Sequence, residues 1–247
     1  MKYFAKIKYL GTDFCGFQVQ NNGRTVQGEL SAACLALFGK PAKVTGCSRT
    51  DSGVHANELC ITIECDGATV PPAKLPLAIA RFLPSDLSLF YAEECGDDFH
   101  PRYNVKHKEY LYRIKNSRVS DPFTVGRAWL YTAPIDAEAL ERMKNAATHF
   151  IGYHDFAAFM SEGSDIKDTH RTGKYLEVSR DGDMIDIRIA ADGFLYNMVR
   201  IIVGTLCDVA AGRISPDEIP EIIASCDRSR AGITAPPEGL YLNRVFY

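Results

Sequence analysis

The segment Ser48–Ala56, SRTDSGVHA, brings a carboxylate, a guanidinium and an imidazole together within nine residues. Asp51 lies between Arg49 and His55, and Gly53 follows it. A carboxylate in such a loop can serve as an acid, as a nucleophile or only as a hydrogen-bond acceptor in a turn. A neighbouring arginine favours the ionised form, which suits a carboxylate that attacks rather than one that donates a proton.

Two other interpretations of this loop have to be weighed. Asp51-Ser52-Gly53 matches the catalytic triplet of aspartic proteases, but a pepsin-like enzyme needs two such loops and this chain has one Asp-Ser-Gly. A retroviral-type protease, which obtains its second loop by dimerisation, has a far shorter chain. A plain turn remains open, with Asp51 accepting backbone N–H groups and Gly53 supplying a positive φ. A turn requires neither Arg49 nor His55, which weighs against it.

The composition is that of a globular protein, with 46% hydrophobic and 24% charged residues in a chain of 247. The segment MKYFAKIKYLGTDF lacks the pattern of a signal peptide, and no apolar run approaches the ~20 residues that span a bilayer. We therefore expect a cytoplasmic protein with no membrane association. The eight cysteines form no C-x-x-C pair and have no histidines at zinc-ligand spacing, so we expect mostly reduced, buried thiols and no metal site.

A local basic segment stands out against the net charge of −3. Its cationic residues, with Glu109 as the only acid among them, are Arg102, Lys106, Lys108, Arg113, Lys115 and Arg118. Such a segment could contact the phosphates of a nucleic acid. A solvated strand face would show the same composition, so this feature alone does not decide between the two.

The hydrophobic pattern repeats one order of elements in both halves of the chain. The first half predicts strands at 2–10, 42–47, 57–65 and 87–95, and helices at 25–39 and 71–84. The second half predicts strands at 108–115, 173–179, 184–190 and 239–247, and helices at 136–150 and 194–211, in the same order along the chain. A capping box at Ser215–Glu218 predicts a short extra helix. We predict an α+β protein with two ferredoxin-like β-α-β-β-α-β halves, 1–100 and 101–247. The halves would join into a mixed, mainly antiparallel sheet with helices on one side and a central cleft.

Five segments in this order resemble the tRNA pseudouridine synthase A family. They are YLGTDFCGFQVQNNGRTVQGEL, GCSRTDSGVHA, FHPRYNVKHKEYLYRI, DGFLYNMVRIIVGTL and PPEGLYL, and they extend over essentially the whole chain. Ser48 and Ser52 stand where that family most often has Gly and Ala. The resemblance implies the pseudouridine synthase fold. It also implies an isomerase that converts uridine to pseudouridine at positions 38, 39 and 40 of the tRNA anticodon stem-loop, without cofactor or metal.

The resemblance implies catalytic roles for three residues. Asp51 matches the proposed nucleophile, which would act on the base or the ribose while the glycosidic bond breaks. Tyr110 matches the family's active-site tyrosine, which could stack on a flipped-out uracil or accept the C5 proton. Arg200, on a helix whose other periodic residues are apolar, would be the partner of the Asp51 carboxylate.

The resemblance also implies a set of substrate contacts. Arg49 matches an arginine that displaces the target nucleotide, and Leu240 matches an apolar residue of the uracil pocket. The full predicted set of substrate-binding residues is Tyr110, Arg49, His55, Leu240, Arg102, Lys106 and Lys108. The family works as a homodimer whose subunits together form a basic groove for tRNA, so a homodimer is expected here as well.

Two functions outside this family remain open at the level of sequence. A non-catalytic RNA-binding protein with ferredoxin-like halves should show RNP-type aromatic strands, which are not visible, and it leaves Asp51 without a role. A carboxylate-dependent nucleosidase needs a second acid about 5–10 Å from Asp51, where the motif offers Arg49.

Overall fold

The computed structural model describes residues 1–21, 23–67, 69–163 and 166–247, which divide into two compact units. The N-terminal unit consists of Met1–Lys106 and Tyr241–Tyr247, and the C-terminal unit consists of His107–Leu240. Within the described ranges, no helix has the length and apolar character that crossing a membrane requires. All eight cysteines are free thiols and five of them are buried, as expected from their spacing, whereas Cys226 is exposed.

In the described ranges the strands are β1 (Lys2–Tyr9), β2 (Lys43–Gly46), β3 (His55–Glu64), β4 (Leu87–Glu94), β5 (His107–Asn116), β6 (Trp129–Tyr131), β7 (Gly152–Asp155), β8 (His170–Asp181), β9 (Met184–Ala191) and β10 (Leu240–Phe246). The α-helices are α1 (Val26–Phe38), α2 (Leu75–Ala80), α3 (Ala137–Thr148), α4 (Met198–Ala210) and α5 (Ile219–Ser225). Both units combine a largely antiparallel sheet with helices, so the predicted α+β class is confirmed.

The sheet of the N-terminal unit has the strand order β4-β1-β3-β10, and β2 also pairs with β3. Its core follows the predicted pattern, because Tyr3, Ile7 and Leu59 are fully buried. The caps of α1 lie at the two ends of the predicted range 25–39. Thr25 accepts a hydrogen bond from the Gly28 N–H at the start of the helix, and the C-cap glycine ends it with a φ of 68°.

The terminal strand belongs to the N-terminal unit, whereas the predicted division at residue 100 assigns it to the second half. Tyr241 and Leu242 pair in parallel with the start of β3. The ring of Tyr247 packs edge-on against Phe4 with centroids 5.4 Å apart, and its hydroxyl donates to the Pro101 carbonyl at 2.7 Å. These contacts join two ends of the chain that are distant in sequence, which no local pattern reveals.

The sheet of the C-terminal unit has the order β5-β9-β8-β7, with β6 parallel to β5. Ile185, Ile187 and Ile189 of β9 are buried and alternate with polar residues, as predicted for a strand with one face in the core. Asp136 caps α3 through the Ala139 N–H, and the predicted capping box precedes α5. The strands β6 and β7 have three and four residues and were not predicted, because so short a segment carries little periodicity.

Helix α4 begins at Met198, four residues after the predicted start near residue 194. Asn197 has a φ of 59°, and this left-handed conformation prevents the helix from extending further towards the N-terminus. The apolar face of α4 is buried as predicted. Phe194 and Leu195 therefore lie in a connecting segment between β9 and α4 instead of in a helix.

Candidate active site

Asp51 lies in the loop between β2 and β3 of the N-terminal unit, and its neighbours hold the loop in place. The Val54 N–H donates to the Asp51 carbonyl at 3.2 Å, and Gly53 has a φ of 79°, so a tight turn follows the acid. The buried hydroxyl of Thr50 lies 2.8 Å from the hydroxyl of Tyr9. The loop therefore has a fixed backbone, while the Asp51 side chain remains half-buried and not enclosed in the core.

A second loop, residues 11–17, packs directly against the Asp51 loop. The Phe17 N–H donates to the Thr50 carbonyl at 3.1 Å, and the Gly53 N–H donates to the Phe14 carbonyl at 3.3 Å. Gly16 has a φ of 83°, and a Cβ atom at this position would lie 2.6 Å from the Thr50 carbonyl oxygen. The close approach of the two loops therefore depends on glycine at this position.

Arg24 lies outside this second loop in sequence but contacts it through the ring of Phe14. The sequence analysis did not identify Arg24. Its Nη1 and Nη2 atoms donate to the two carboxylate oxygens of Asp86 at 2.7 and 2.9 Å, and its Nε donates to Glu29 at 2.7 Å. Its guanidinium also lies 4.2 Å from the centre of the Phe14 ring. Hydrogen bonding to Arg24 holds the pKa of Asp86 below its usual value.

His55, which the family resemblance makes a substrate contact, is fully buried. Its Nδ1 accepts a hydrogen bond from the Gly11 N–H at 2.8 Å, and its ring stacks on Tyr241 with centroids 4.5 Å apart. An imidazole whose Nδ1 accepts a hydrogen bond carries its own hydrogen on Nε2 and is neutral. Its contacts connect the second loop to the terminal strand.

The other predicted contacts of the N-terminal unit are exposed. The Arg49 side chain is exposed two residues before Asp51. Arg102 is exposed and lies 5.9 Å from the centre of the Tyr103 ring, while the exposed Lys106 donates to the Tyr247 carbonyl at 3.1 Å. These cations are accessible to a polyanionic ligand.

Tyr110 lies in β5 of the C-terminal unit, opposite Ile189 of β9. It is 7% exposed, and its ring meets Phe194 edge-on with centroids 4.9 Å apart. Tyr112, two residues along, is completely buried and donates from its hydroxyl to the Pro236 carbonyl at 2.7 Å, and burial raises its pKa. Tyr112 is therefore a core residue of this strand.

Arg200 lies on the first turn of α4, where two acceptors within the C-terminal unit orient it. Its Nε donates to the Ala235 carbonyl at 2.6 Å, and its Nη1 donates to the Asn197 side chain at 2.8 Å. Sequence reasoning missed Asn197 and Phe194 as supporting residues. Asn197 could have been identified from the sequence, because it lies three residues before an arginine at a helix start and asparagine tolerates the left-handed conformation.

The basic segment 102–118 is not uniformly available to a ligand. Arg113 pairs with Asp186 at 3.2 Å, and the Lys115 ammonium lies 2.6 Å from the Asp183 carboxylate. Lys108 is half-buried in the C-terminal unit, and Leu240, at the start of β10, is buried in the same unit. Fewer cations of this segment are therefore available to phosphates than its composition suggests.

Substituting alanine for Gly16 should disturb the Asp51 loop more than the same change at another left-handed glycine. Both Gly16 and Gly39 have positive φ, so either substitution costs about 1–2 kcal/mol of backbone strain. A Cβ at Gly16 also collides with the Thr50 carbonyl, whereas at Gly39 it meets nothing within 4 Å. We expect a larger loss of melting temperature and a lower kcat for Gly16→Ala alone. Equal thermal and kinetic effects of the two variants would show that the loop contact is unimportant.

Comparison with known proteins places the whole chain in one family. A sequence model described as tRNA pseudouridine synthase matches residues 5–104 and 146–247. The tRNA pseudouridine synthase A of Thermoanaerobacter sp. (strain X514) is 43% identical over 241 residues, covering 98% of this chain and 97% of that protein. Proteins of the same name from Acetivibrio thermocellus and Bacillus licheniformis are also 43% identical, covering 98% and 100% of this chain and 97% and 99% of their own lengths. The chain belongs to the tRNA pseudouridine synthase family.

Proposed function

We propose that this pseudouridine synthase isomerises uridines at positions 38, 39 and 40 of the tRNA anticodon stem-loop. The observation that carries the proposal is Asp51 itself. It is a half-buried carboxylate on a loop fixed by hydrogen bonds, in a chain that matches tRNA pseudouridine synthases A over its whole length.

The reaction moves the bond between ribose and uracil from N1 to C5 of the base. We propose that Asp51 assists the step in which the N1 bond breaks, as a nucleophile or by stabilising the positive charge that develops on the sugar. Retaining glycosidases use a carboxylate in a comparable way. After the base turns, C5 forms the new bond and its proton must leave, while N1 gains a proton. The reaction has no net change in composition and needs no oxidant.

Tyr110 and Arg200 would serve the remaining steps. A tyrosine oxygen can accept the C5 proton while its own hydroxyl proton passes to N1 of the base or to solvent, and the ring can stack on the uracil while it turns. The planar guanidinium of Arg200, fixed by Ala235 and Asn197, provides a positive charge that favours an ionised carboxylate. Its predicted pairing with Asp51 stays part of the proposal.

The substrate contacts follow from exposure and residue type. The exposed Arg49 can occupy the stack that the flipped nucleotide leaves, and Leu240 can contact the uracil ring. Arg102, Lys106 and Lys108 would contact phosphates, which position RNA without reading its sequence. For His55 we propose a positioning role in place of the substrate contact, because the ring is fully buried.

Two further properties are proposed from the family resemblance and the substrate. A tRNA extends well beyond its anticodon stem-loop, and a homodimer would extend the basic surface that it contacts. Since the enzyme acts on tRNA, we propose that it works in the cytoplasm. Neither property is needed for the chemistry assigned to Asp51.

The experiment is to incubate the protein with an unmodified tRNA transcript and to map pseudouridine chemically. We expect modification at positions 38, 39 and 40 where these are uridines, and none in a matched transcript that has cytidine there. Pseudouridine elsewhere would contradict the assigned positions. Release of free uracil without pseudouridine would identify a nucleosidase instead.

A further inference from the structure

A β-bulge in the edge strand β4 exposes two adjacent aromatic rings. Lys6 of β1 is opposite Tyr91, but the next pair joins Ile7 to Leu89, so Phe90 is the extra residue. Adjacent residues of a regular strand point to opposite faces, and a bulge redirects a side chain. As a result Phe90 and Tyr91 are both exposed, by 39% and 41%.

Each of these rings lies under a lysine of β1, and the two lysines differ in their charge environment. The Lys6 ammonium is 5.8 Å from the centre of the Tyr91 ring and pairs with Glu58 at 3.1 Å. The Lys8 ammonium is 4.4 Å from the centre of the Phe90 ring. Among the described residues no carboxylate lies within ion-pair distance of Lys8, so its charge is available to an anion.

A groove of about 240 Å³ begins at Lys8 and lies entirely within the N-terminal unit. Tyr9, Leu87 and Tyr241 provide apolar surface, and the exposed Asn57 and Ser88 provide polar groups. The volume is below the roughly 300–1,000 Å³ of pockets for drug-sized ligands, so it suits one base or ribose. Asp86 also lines the groove, but its carboxylate is already bound by Arg24.

The groove is connected to the Asp51 loop through Tyr9. The hydroxyl of Tyr9 is hydrogen-bonded to Thr50, the residue directly before Asp51, and Tyr9 is also one of the residues that line the groove. A ligand in the groove would therefore lie next to a residue that supports the Asp51 loop. This connection favours a ligand that is continuous with the substrate.

We propose that Lys8, Phe90 and this groove form a second nucleotide-binding subsite, which holds a nucleotide of the tRNA other than the modified uridine. Lys8 contacts its phosphate, Phe90, which lies beside Lys8 at the border of the groove, stacks on its base, and the groove holds its ribose. A combination of cations and exposed aromatic rings on a sheet is how proteins bind unpaired nucleotides. The proposal rests on tRNA being the substrate and is independent of the role of Asp51.

A purely structural explanation exists for the same bulge. A bulge in an edge strand hinders its pairing with other chains, and the lysines of the neighbouring strand β1 place charge beside that edge. Under that explanation, changes at Lys8 or Phe90 would affect aggregation and leave tRNA affinity unchanged. The two explanations therefore differ in a binding measurement.

The test measures the Kd for the matched transcript that has cytidine at positions 38, 39 and 40 and so cannot be modified there, by fluorescence anisotropy, over a series of salt concentrations. We expect Phe90→Leu to weaken binding by about 5- to 100-fold, the range for losing one base stack, and Phe90→Trp to retain it. Lys8→Ala should weaken binding and lower the salt slope by about one. Matched controls at exposed positions are Phe123→Leu and Lys74→Ala, which should bind like the wild type.

The outcomes separate this proposal from the proposed function. If the wild type forms pseudouridine but Phe90→Leu and Lys8→Ala both have a Kd for tRNA within twofold of the wild-type Kd, the subsite is overturned and the function stands. If the variants weaken binding as expected while no pseudouridine is formed, the subsite stands and the function fails. Failure of Phe90→Trp to retain affinity, or weakening by the control variants to the same degree, would also overturn the subsite.

Discussion

Replacing Asp51 with asparagine is expected to abolish pseudouridine formation while tRNA binding and folding survive. Asparagine has nearly the same shape and can keep hydrogen bonds that the carboxylate accepts, but it has no negative charge and is a poor nucleophile. Loss of a nucleophile lowers the rate by a factor on the order of 10⁴ or more. Single-turnover rates and anisotropy with the same tRNA would measure the two properties separately.

The matched control for this substitution is Asp66→Asn, which removes an exposed carboxylate of the same unit just after β3. It should modify tRNA at the wild-type rate. A wild-type rate in Asp51→Asn would remove this residue from the chemistry. A loss of affinity equal to the loss of rate would instead show that the carboxylate acts in binding.

Much of the fold is predictable from sequence because its signals are local. Thr25 and Asp136 each accept a backbone hydrogen bond where their helices start, and the alternation of Ile185 and Ile187 with polar residues marks a half-buried strand. A cap or a period of two is determined by a few adjacent residues. Asn197 shows the limit of this reasoning, because its backbone conformation and not its hydrophobic neighbours determines where α4 begins.

The supporting contacts of the candidate site are not predictable, because they join distant parts of the chain. Arg24 meets Asp86, 62 residues away, and Tyr241 pairs with the start of β3. The same limit applies to charge. The composition of segment 102–118 indicates a basic surface, but Arg113 is paired with Asp186, which only the sheet register reveals.

His55 shows that a motif predicts a role without the contacts that a residue makes in the folded chain. Its place four residues after Asp51 suggests chemistry, whereas its Nδ1 accepts a backbone hydrogen bond and its ring is buried against Tyr241. A residue that fixes a catalytic loop and one that contacts the substrate can occupy the same motif. Burial and hydrogen-bond partners distinguish them, and both depend on tertiary structure.

Replacing Tyr110 with phenylalanine is expected to slow pseudouridine formation by roughly 10²- to 10⁴-fold, the usual contribution of a positioned acid or base. The phenyl ring keeps the edge-on contact with Phe194 and the stacking surface, so tRNA affinity should change little. What the variant lacks is the hydroxyl that would accept the C5 proton. If that step limits the variant, a substrate with deuterium at C5 of the target uridine should react more slowly still.

Tyr112→Phe is the control that separates chemistry from packing on the same strand. Its hydroxyl is bonded to the Pro236 carbonyl in the core, so its loss should lower stability by about 1–3 kcal/mol and leave the rate on folded protein unchanged. Tyr110→Phe should show the opposite pattern, with a melting temperature close to that of the wild type. If Tyr110→Phe keeps the wild-type rate, proton transfer belongs to another group, and the ring of Tyr110 contributes only stacking.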